Sequence, residues 1–241
     1  MIRIGILETD ELYPDLLSDY RSYGHMFRQF LTALPHPLAS QLEFRSYQVT
    51  QMEFPQQPNE CDAWLVTGSK TGVYDNDPWL EPLANWVKQC FAAGVPQIGV
   101  CFGHQFLAHH LGGHAALSDK GWGIGVRGSA ITASPSWSTI KASHLRLIYS
   151  HRDQVLSLPP EAQRLSGCDF CPNAAFSIDR RVLAFQGHPE FTATYLRRLL
   201  PRRREAIGEE RFNAGMETLN TSTDDTLAGV WMLDFLRQDG S

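Results

Sequence analysis

Gly99-Val-Cys-Phe-Gly103 sets a cysteine between two glycines, where a short apolar run meets a helical pattern. Gln97–Val100 reads as a strand, and 102–111 reads as a helix closed by Gly112-Gly113. The motif has the G-x-nucleophile-x-G form, with cysteine where serine is more familiar. Such a turn is tight, so its flanking residues must be small. It lifts the side chain of Cys101 above the end of the sheet and onto a helix N-terminus. Unsatisfied N–H groups there favour a thiolate over a thiol. The N–H of Phe102 is placed to stabilise an oxyanion. A lone cysteine at a strand–helix junction is usually packing, but two glycines at this spacing argue for a nucleophile.

A thiolate that attacks an amide needs a proton donor for the departing amine, normally a histidine held by a third group. Of nine histidines, His188 stands out in Phe185-Gln-Gly-His-Pro-Glu190. It follows a predicted strand, so it belongs to a sheet end, as Cys101 does. Glu190 lies two residues on, and Pro189 limits the freedom of both neighbours. A carboxylate beside the ring fixes its tautomer and stabilises its protonated form. His151 is not read as the base. Its neighbour Asp153 is expected either to cap a helix or to face a substrate ammonium group.

These residues need a scaffold that ends strands at one edge. Strands are expected at 2–7, 42–49, 63–67 and Gln97–Val100, alternating with helices at 20–34 and 77–93. The second helix is expected to open at Asp77-Pro78, with proline in its first turn. That alternation predicts an α/β fold, a mostly parallel central sheet with helices on both faces. Shorter strands follow at 123–132, 145–150, 162–167, 174–178 and 182–186, then helices near 192–208 and 227–237, with a loop at 220–225. The glycine-rich 121–125 stretch reads as a closely packed strand. No repeat or long linker divides the chain, so 1–241 is read as one domain, with a core of about 1–195 and C-terminal helices over about 192–238.

The chain has 241 residues, 43% hydrophobic and 20% charged, with a formal net charge of −5. That composition gives no reason to expect a nucleic-acid or membrane partner. No signal-peptide pattern or bilayer-length apolar run is visible, and five irregularly spaced cysteines suit a reducing, cytoplasmic setting. Arg202-Arg203-Arg204, flanked by Arg197 and Arg198 and followed by glutamates, reads as a solvated helix face. Cys168 and Cys171 have no second pair to complete a zinc site, so no metal and no cofactor is expected. His104 is expected beneath the turn, His109 and His110 on the helix surface, and Trp79 and Trp122 in the core or at a pocket mouth.

Over about residues 1–195 the sequence resembles the class I glutamine amidotransferases of the Cys-His-Glu type. Gly99-Val-Cys-Phe-Gly-His-Gln105 is similar to their nucleophile motif, and Gln186-Gly-His-Pro-Glu190 to their His-x-Glu motif. The resemblance implies a flavodoxin-like fold and catalysis by Cys101, His188 and Glu190. It implies an oxyanion hole from Gly68 and Phe102, and substrate contacts from Gln105, Ser150, His151 and Arg152. The segment 68–79 and Gly187 before the histidine are similar to stand-alone members, including plant γ-glutamyl peptidases; the fused enzymes usually carry a bulkier residue there. No phosphate-binding G-x-x-x-x-G-K loop is present to activate a nucleotide. Three readings follow: a hydrolase of a small-molecule γ-glutamyl substrate, a glutaminase subunit for a separate synthase, or a non-catalytic glutamine-binding module.

Overall fold

The computed structural model describes residues 1–138 and 140–237. Position 238, the expected limit of the C-terminal helices, lies outside the described residues. The first half is built from β1 (Ile2–Glu8), α1 (Leu17–Tyr20), α2 (Tyr23–Thr32), β2 (Leu42–Gln48), β3 (Ala63–Val66), α3 (Leu80–Ala92), β4 (Gln97–Val100) and α4 (Phe102–His110). Then come β5 (His114–Leu117), β6 (Gly123–Ile131), β7 (His144–His151), β8 (Asp153–Ser157), β9 (Gln163–Gly167), β10 (Ala175–Ile178) and β11 (Val182–Phe185). The chain closes with α5 (Ala193–Leu199), α6 (Arg204–Ile207), α7 (Glu209–Glu217) and α8 (Asp225–Leu236).

Nine strands form one sheet in the order β2-β1-β3-β4-β11-β10-β9-β6-β7. The first five run parallel, and the last four join by antiparallel pairing. β5 and β8 make a separate two-stranded sheet. The parallel strands β3, β4 and β11 are buried along their whole length, which is why they read as continuous apolar runs. Alternate residues serve opposite faces. Leu65, Ile98, Val100, Leu183 and Phe185 pack with Phe27 and Leu31 of α2 and Trp231 of α8. Trp64, Val66, Val182 and Ala184 pack with Leu83 and Val87 of α3 and Phe106 and Leu107 of α4.

Several expected boundaries move for visible reasons. α2 starts at Tyr23 because the Ser22 hydroxyl accepts the His25 N–H at 3.1 Å and caps it. α3 starts at Leu80, so Asp77 and Pro78 lie in the turn before it. The helix expected over 192–208 is broken: Pro201 cannot donate into the helical ladder, and a 3₁₀ segment, Leu200–Arg203, separates α5 from α6. α7, β5 and β8 have no counterpart in the sequence reading. Asp153 opens β8, so the helix-cap alternative for it is wrong. Among the described residues no helix is long and apolar enough to cross a membrane.

The junction of β4 and α4 depends on its two glycines. A Cβ on Gly99 would lie 2.5 Å from the Gly103 carbonyl oxygen, and one on Gly103 would lie 2.2 Å from that of Val66. Gly103→Ala is therefore expected to destabilise the fold by about 3 kcal/mol, the upper end for overpacking, because backbone cannot yield as a side chain can. Gly128→Ala, whose Cβ would meet only the Arg146 side chain at 3.4 Å, should stay within about 0.5 kcal/mol of the parent. Urea unfolding of both variants checks the contrast, and equal losses would contradict it.

Candidate active site

Sheet register brings the sequence-predicted residues into one row. Phe185 pairs with Val100, and Val66 pairs with Gly99, so Gln186 and Gly68 arrive level with Cys101 at the strand ends. The Cys101 N–H bonds the Phe185 carbonyl at 2.8 Å, and the Gly103 N–H bonds that of Thr67 at 3.1 Å. Cys101 has φ 56° and ψ −104°, a conformation rare for a residue with a Cβ. The strain is about 1–3 kcal/mol. Burial of Phe102, Phe106 and Leu107 at about 2 kcal/mol each outweighs it and holds the turn in place.

His188 reaches Cys101 from β11. Its N–H bonds the Ile148 carbonyl at 2.7 Å, which fixes the backbone against β7. Its Nδ1–H donates to Glu190 Oε1 at 2.7 Å, and its ring stacks on Phe191 with centroids 3.8 Å apart and planes 6° apart. The opposite edge of the ring faces the cysteine. A Cβ built on Gly68 would lie 2.9 Å from His188 Cε1, 3.8 Å from Nε2 and 3.6 Å from Cys101 Cβ, so both side chains converge over that glycine. Gly187 answers to the same crowding, since a Cβ there would meet the Leu147 Cβ at 2.6 Å. Burial opposes a charge on His188, but the Glu190 carboxylate, then Cys101, outweigh it and raise the imidazole pKa above its ordinary value.

The residues expected to donate to an oxyanion adjoin Cys101, Phe102 as its chain neighbour and Gly68 through a Cβ position 3.6 Å from Cys101 Cβ. Phe102 opens α4, Gly68 follows β3, and among the described residues neither N–H is taken by a protein acceptor. A cavity of about 180 Å³ opens beside Cys101, lined by Gln105, Ser150, His151 and Arg152 among others. Gln105 is held by its amide, which donates to the Asp153 carbonyl at 2.7 Å and to Gln186 Oε1 at 3.0 Å. Ser150 lines this cavity and a narrower one on the His188 side. His151 turns Nδ1 to the Asp153 carbonyl at 2.9 Å and Nε2 towards Gly123. Burial pushes its pKa down to about 4, so it is neutral wall. Arg152, half-exposed at the mouth, sits 3.4 Å from Asp153 Oδ1.

Lys70 and Tyr74 join the site without having been singled out. Lys70 lines the cavity and pairs with Asp10 at 2.9 Å. Tyr74 donates to Asp153 Oδ2 at 2.8 Å. Trp122 lines the cavity, whereas Trp79 packs in the core against Phe102. His104 is fully buried, as expected, but His109 and His110 are half-buried rather than surface residues. Cys168 and Cys171 are free thiols between β9 and β10, and no His, Cys, Asp or Glu group among the described residues could hold a metal.

The arginines do not share one solvated face. Arg198, Arg202 and Arg204 lie on the surface and pair with Asp19, Asp15 and Glu209. Arg203 instead turns inward and donates one Nη to the Ser150 hydroxyl at 2.8 Å and carbonyl at 3.3 Å. A signal existed: Arg203 falls three, four and seven residues after Leu200, Leu199 and Leu196, all buried. It therefore occupies the apolar stripe of the helical pattern.

The model of the class-I glutamine amidotransferase family matches residues 27–204. A Saccharomyces cerevisiae protein carrying the glutamine amidotransferase name is 30% identical over 184 residues, covering 73% of each chain. Gamma-glutamyl peptidase 2 of Arabidopsis thaliana is 28% identical over 195 residues, covering 78% of this chain and 77% of that one. The crystal structure of a glutamine amidotransferase from Methylobacillus flagellatus superposes with a TM-score of 0.73 at 21% identity, covering 100% of this chain and 96% of that chain.

The raised His188 pKa has a measurable sign. With the folded value above the ordinary one, the imidazolium persists as pH rises through about 6.5. Ring ¹⁵N shifts should therefore report a protonated His188 about one pH unit above that value. In Glu190→Gln the largest raising influence is gone while burial remains, so the titration should move downward. An unchanged titration in that variant would show that Glu190 does not set the charge.

Proposed function

The chain belongs to the class-I glutamine amidotransferase family, and within it we propose that this protein hydrolyses a γ-glutamyl amide through a thioester on Cys101. The observation that carries the reading is the convergence, over Gly68, of a cysteine in a strained strand–helix turn and a histidine bonded to a buried carboxylate.

In this reading the Cys101 sulfur attacks the γ-carbonyl carbon, and the developing oxyanion is met by the N–H groups of Gly68 and Phe102. His188 donates its proton to the departing nitrogen as the C–N bond breaks, leaving a γ-glutamyl thioester. The neutral imidazole then takes a proton from water, whose oxygen attacks the thioester carbon. The C–S bond breaks, glutamate leaves, and the released Cys101 thiolate with the imidazolium that kept water's proton is the starting state. Glu190 orients the ring and stabilises its charge without moving a proton itself. Asp153 and Arg152 offer opposite charges for the ammonium and carboxylate of the γ-glutamyl head. Gln105 acts by holding the Asp153 backbone and Gln186 in place.

The convergence of Cys101, His188 and Glu190 supports an enzyme over a binding module, which would need no such set. The similarity to a named γ-glutamyl peptidase over most of both chains supports the substrate class.

An electrophilic γ-glutamyl analogue should label Cys101 and leave Cys61, Cys90, Cys168 and Cys171 unmodified, read by peptide mass spectrometry. Cys101→Ala should reduce turnover by at least about 10⁴-fold with unchanged thermal unfolding. Glu190→Gln should cost less than His188→Ala, because orientation is lost but the base remains. Label on another cysteine, or full activity in Cys101→Ala, would overturn the assignment.

A further inference from the structure

Among the described residues, the cations around the cavity are matched by carboxylates with one exception. Lys70 faces Asp10 at 2.9 Å, and Arg152 faces Asp153 at 3.4 Å. Among the described residues Arg203 has no carboxylate partner; its hydrogen bonds run from one Nη to Ser150, and its guanidinium lies 5.7 Å from the Trp122 ring. Arg198, Arg202 and Arg204 all reach acids on the surface. A half-buried guanidinium without a counter-charge is unfavourable in the empty site and becomes favourable when a ligand brings an anion.

The position of Arg203 limits which anion that is. The zwitterionic γ-glutamyl head has a matched pair in Asp153 and Arg152. The leaving group of glutamine is ammonia and carries no anion. Arg203 lies on the wall shared by the cavity holding Gln105 and the narrower one holding His188, where the departing nitrogen must collect its proton. With one Nη held by Ser150, the Nε and the other Nη remain as a planar fork suited to a carboxylate.

We propose that Arg203 binds the carboxylate of the leaving group, which makes the preferred substrate a γ-glutamyl amino acid or short γ-glutamyl peptide rather than glutamine. An amino-acid leaving group carries its carboxylate on the carbon next to the amine, within reach of a side chain beside Ser150. The proposal rests on the hydrolase reading above.

The test compares kcat/KM for γ-glutamylalanine and γ-glutamylalaninamide, which differ only in that carboxylate, in the parent, Arg203→Lys and Arg203→Met. The parent should prefer the free acid by about ten- to a hundredfold, the range of a charged hydrogen bond. Arg203→Met should retain less than about a twofold preference, with Arg203→Lys between them because its point charge cannot form the fork. Equal rates on both compounds in the parent would overturn the proposal, and so would a preference that survives in both variants. Should Arg203→Met fail to fold, the parent comparison and Arg203→Lys still decide. If the parent cleaves glutamine but neither alanine compound, the γ-glutamyl peptide class falls while the Cys101 chemistry stands. If it cleaves none of the three, the hydrolase reading itself falls.

Discussion

A backbone conformation that a residue with a Cβ rarely tolerates sits at the centre of this molecule. Cys101 holds φ 56° at the end of an interior strand, and its neighbours are arranged around that fact. Gly99 and Gly103 are small because backbone oxygens lie within 2.5 Å of where a side chain would begin. α4 packs hard against β3, β4 and β11, so the turn cannot relax without uncovering Phe106 and Leu107. Because β4 is interior, the cysteine has a strand end on each side. β3 supplies Gly68 and β11 delivers His188. A cysteine on an edge strand would have had one neighbouring strand, and either Gly68 or His188 would have come from a less rigid element.

Burial acts on several histidines here with opposite results, which shows what the carboxylate does. His104 and His151 are pushed down to about 3 and about 4 by burial, and each lowers further against a histidine neighbour. His188 is just as enclosed, yet its pKa rises because Glu190 and Cys101 face its two edges. Desolvation strengthens the attraction that overcomes it: with little water to screen them, imidazolium and carboxylate interact more strongly. The stack on Phe191 fixes the ring plane without competing for either nitrogen. The site thus keeps one chargeable imidazole beside the sulfur and neutral ones in the walls.

Much of this was legible in the sequence because the signals were local. A turn that demands glycine at fixed offsets, and a histidine tied to a carboxylate across a proline, are written within a few residues. Apolar runs marked β3, β4 and β11, since strands covered on both faces need little else. The pairing of β4 with β11 was not legible. Strand order is set by which faces can be buried together, and 81 residues lie between the two strands. β5 and β8 leave no sequence signal, because short strands with exposed residues such as Leu117 and Leu156 carry no clear alternation. Asp153 was open between two roles for the same reason: whether it capped a helix or opened a strand depended on a pairing partner with no local signature.

Arg203 shows how a compositional reading can hide a positional one. Five arginines followed by glutamates average to a solvated surface, and for most of the cluster that average is right. Exposed ion pairs of this kind are worth at most about 1 kcal/mol and say little about function. Helical phase separates the exception from the rest, because Arg203 follows Leu196, Leu199 and Leu200 on the buried side. A cation placed there costs stability unless something inside the protein requires it. The interruption at Pro201 matters too, since the 3₁₀ segment carries this side chain over Ser150 at the cavity wall. The strained turn of Cys101 is therefore built by the centre of the sheet, while Arg203, the proposed leaving-group contact, is delivered by the segment after β11. These are physically separate devices, so the proposed leaving-group contact can change through the helical segment without disturbing the strained turn.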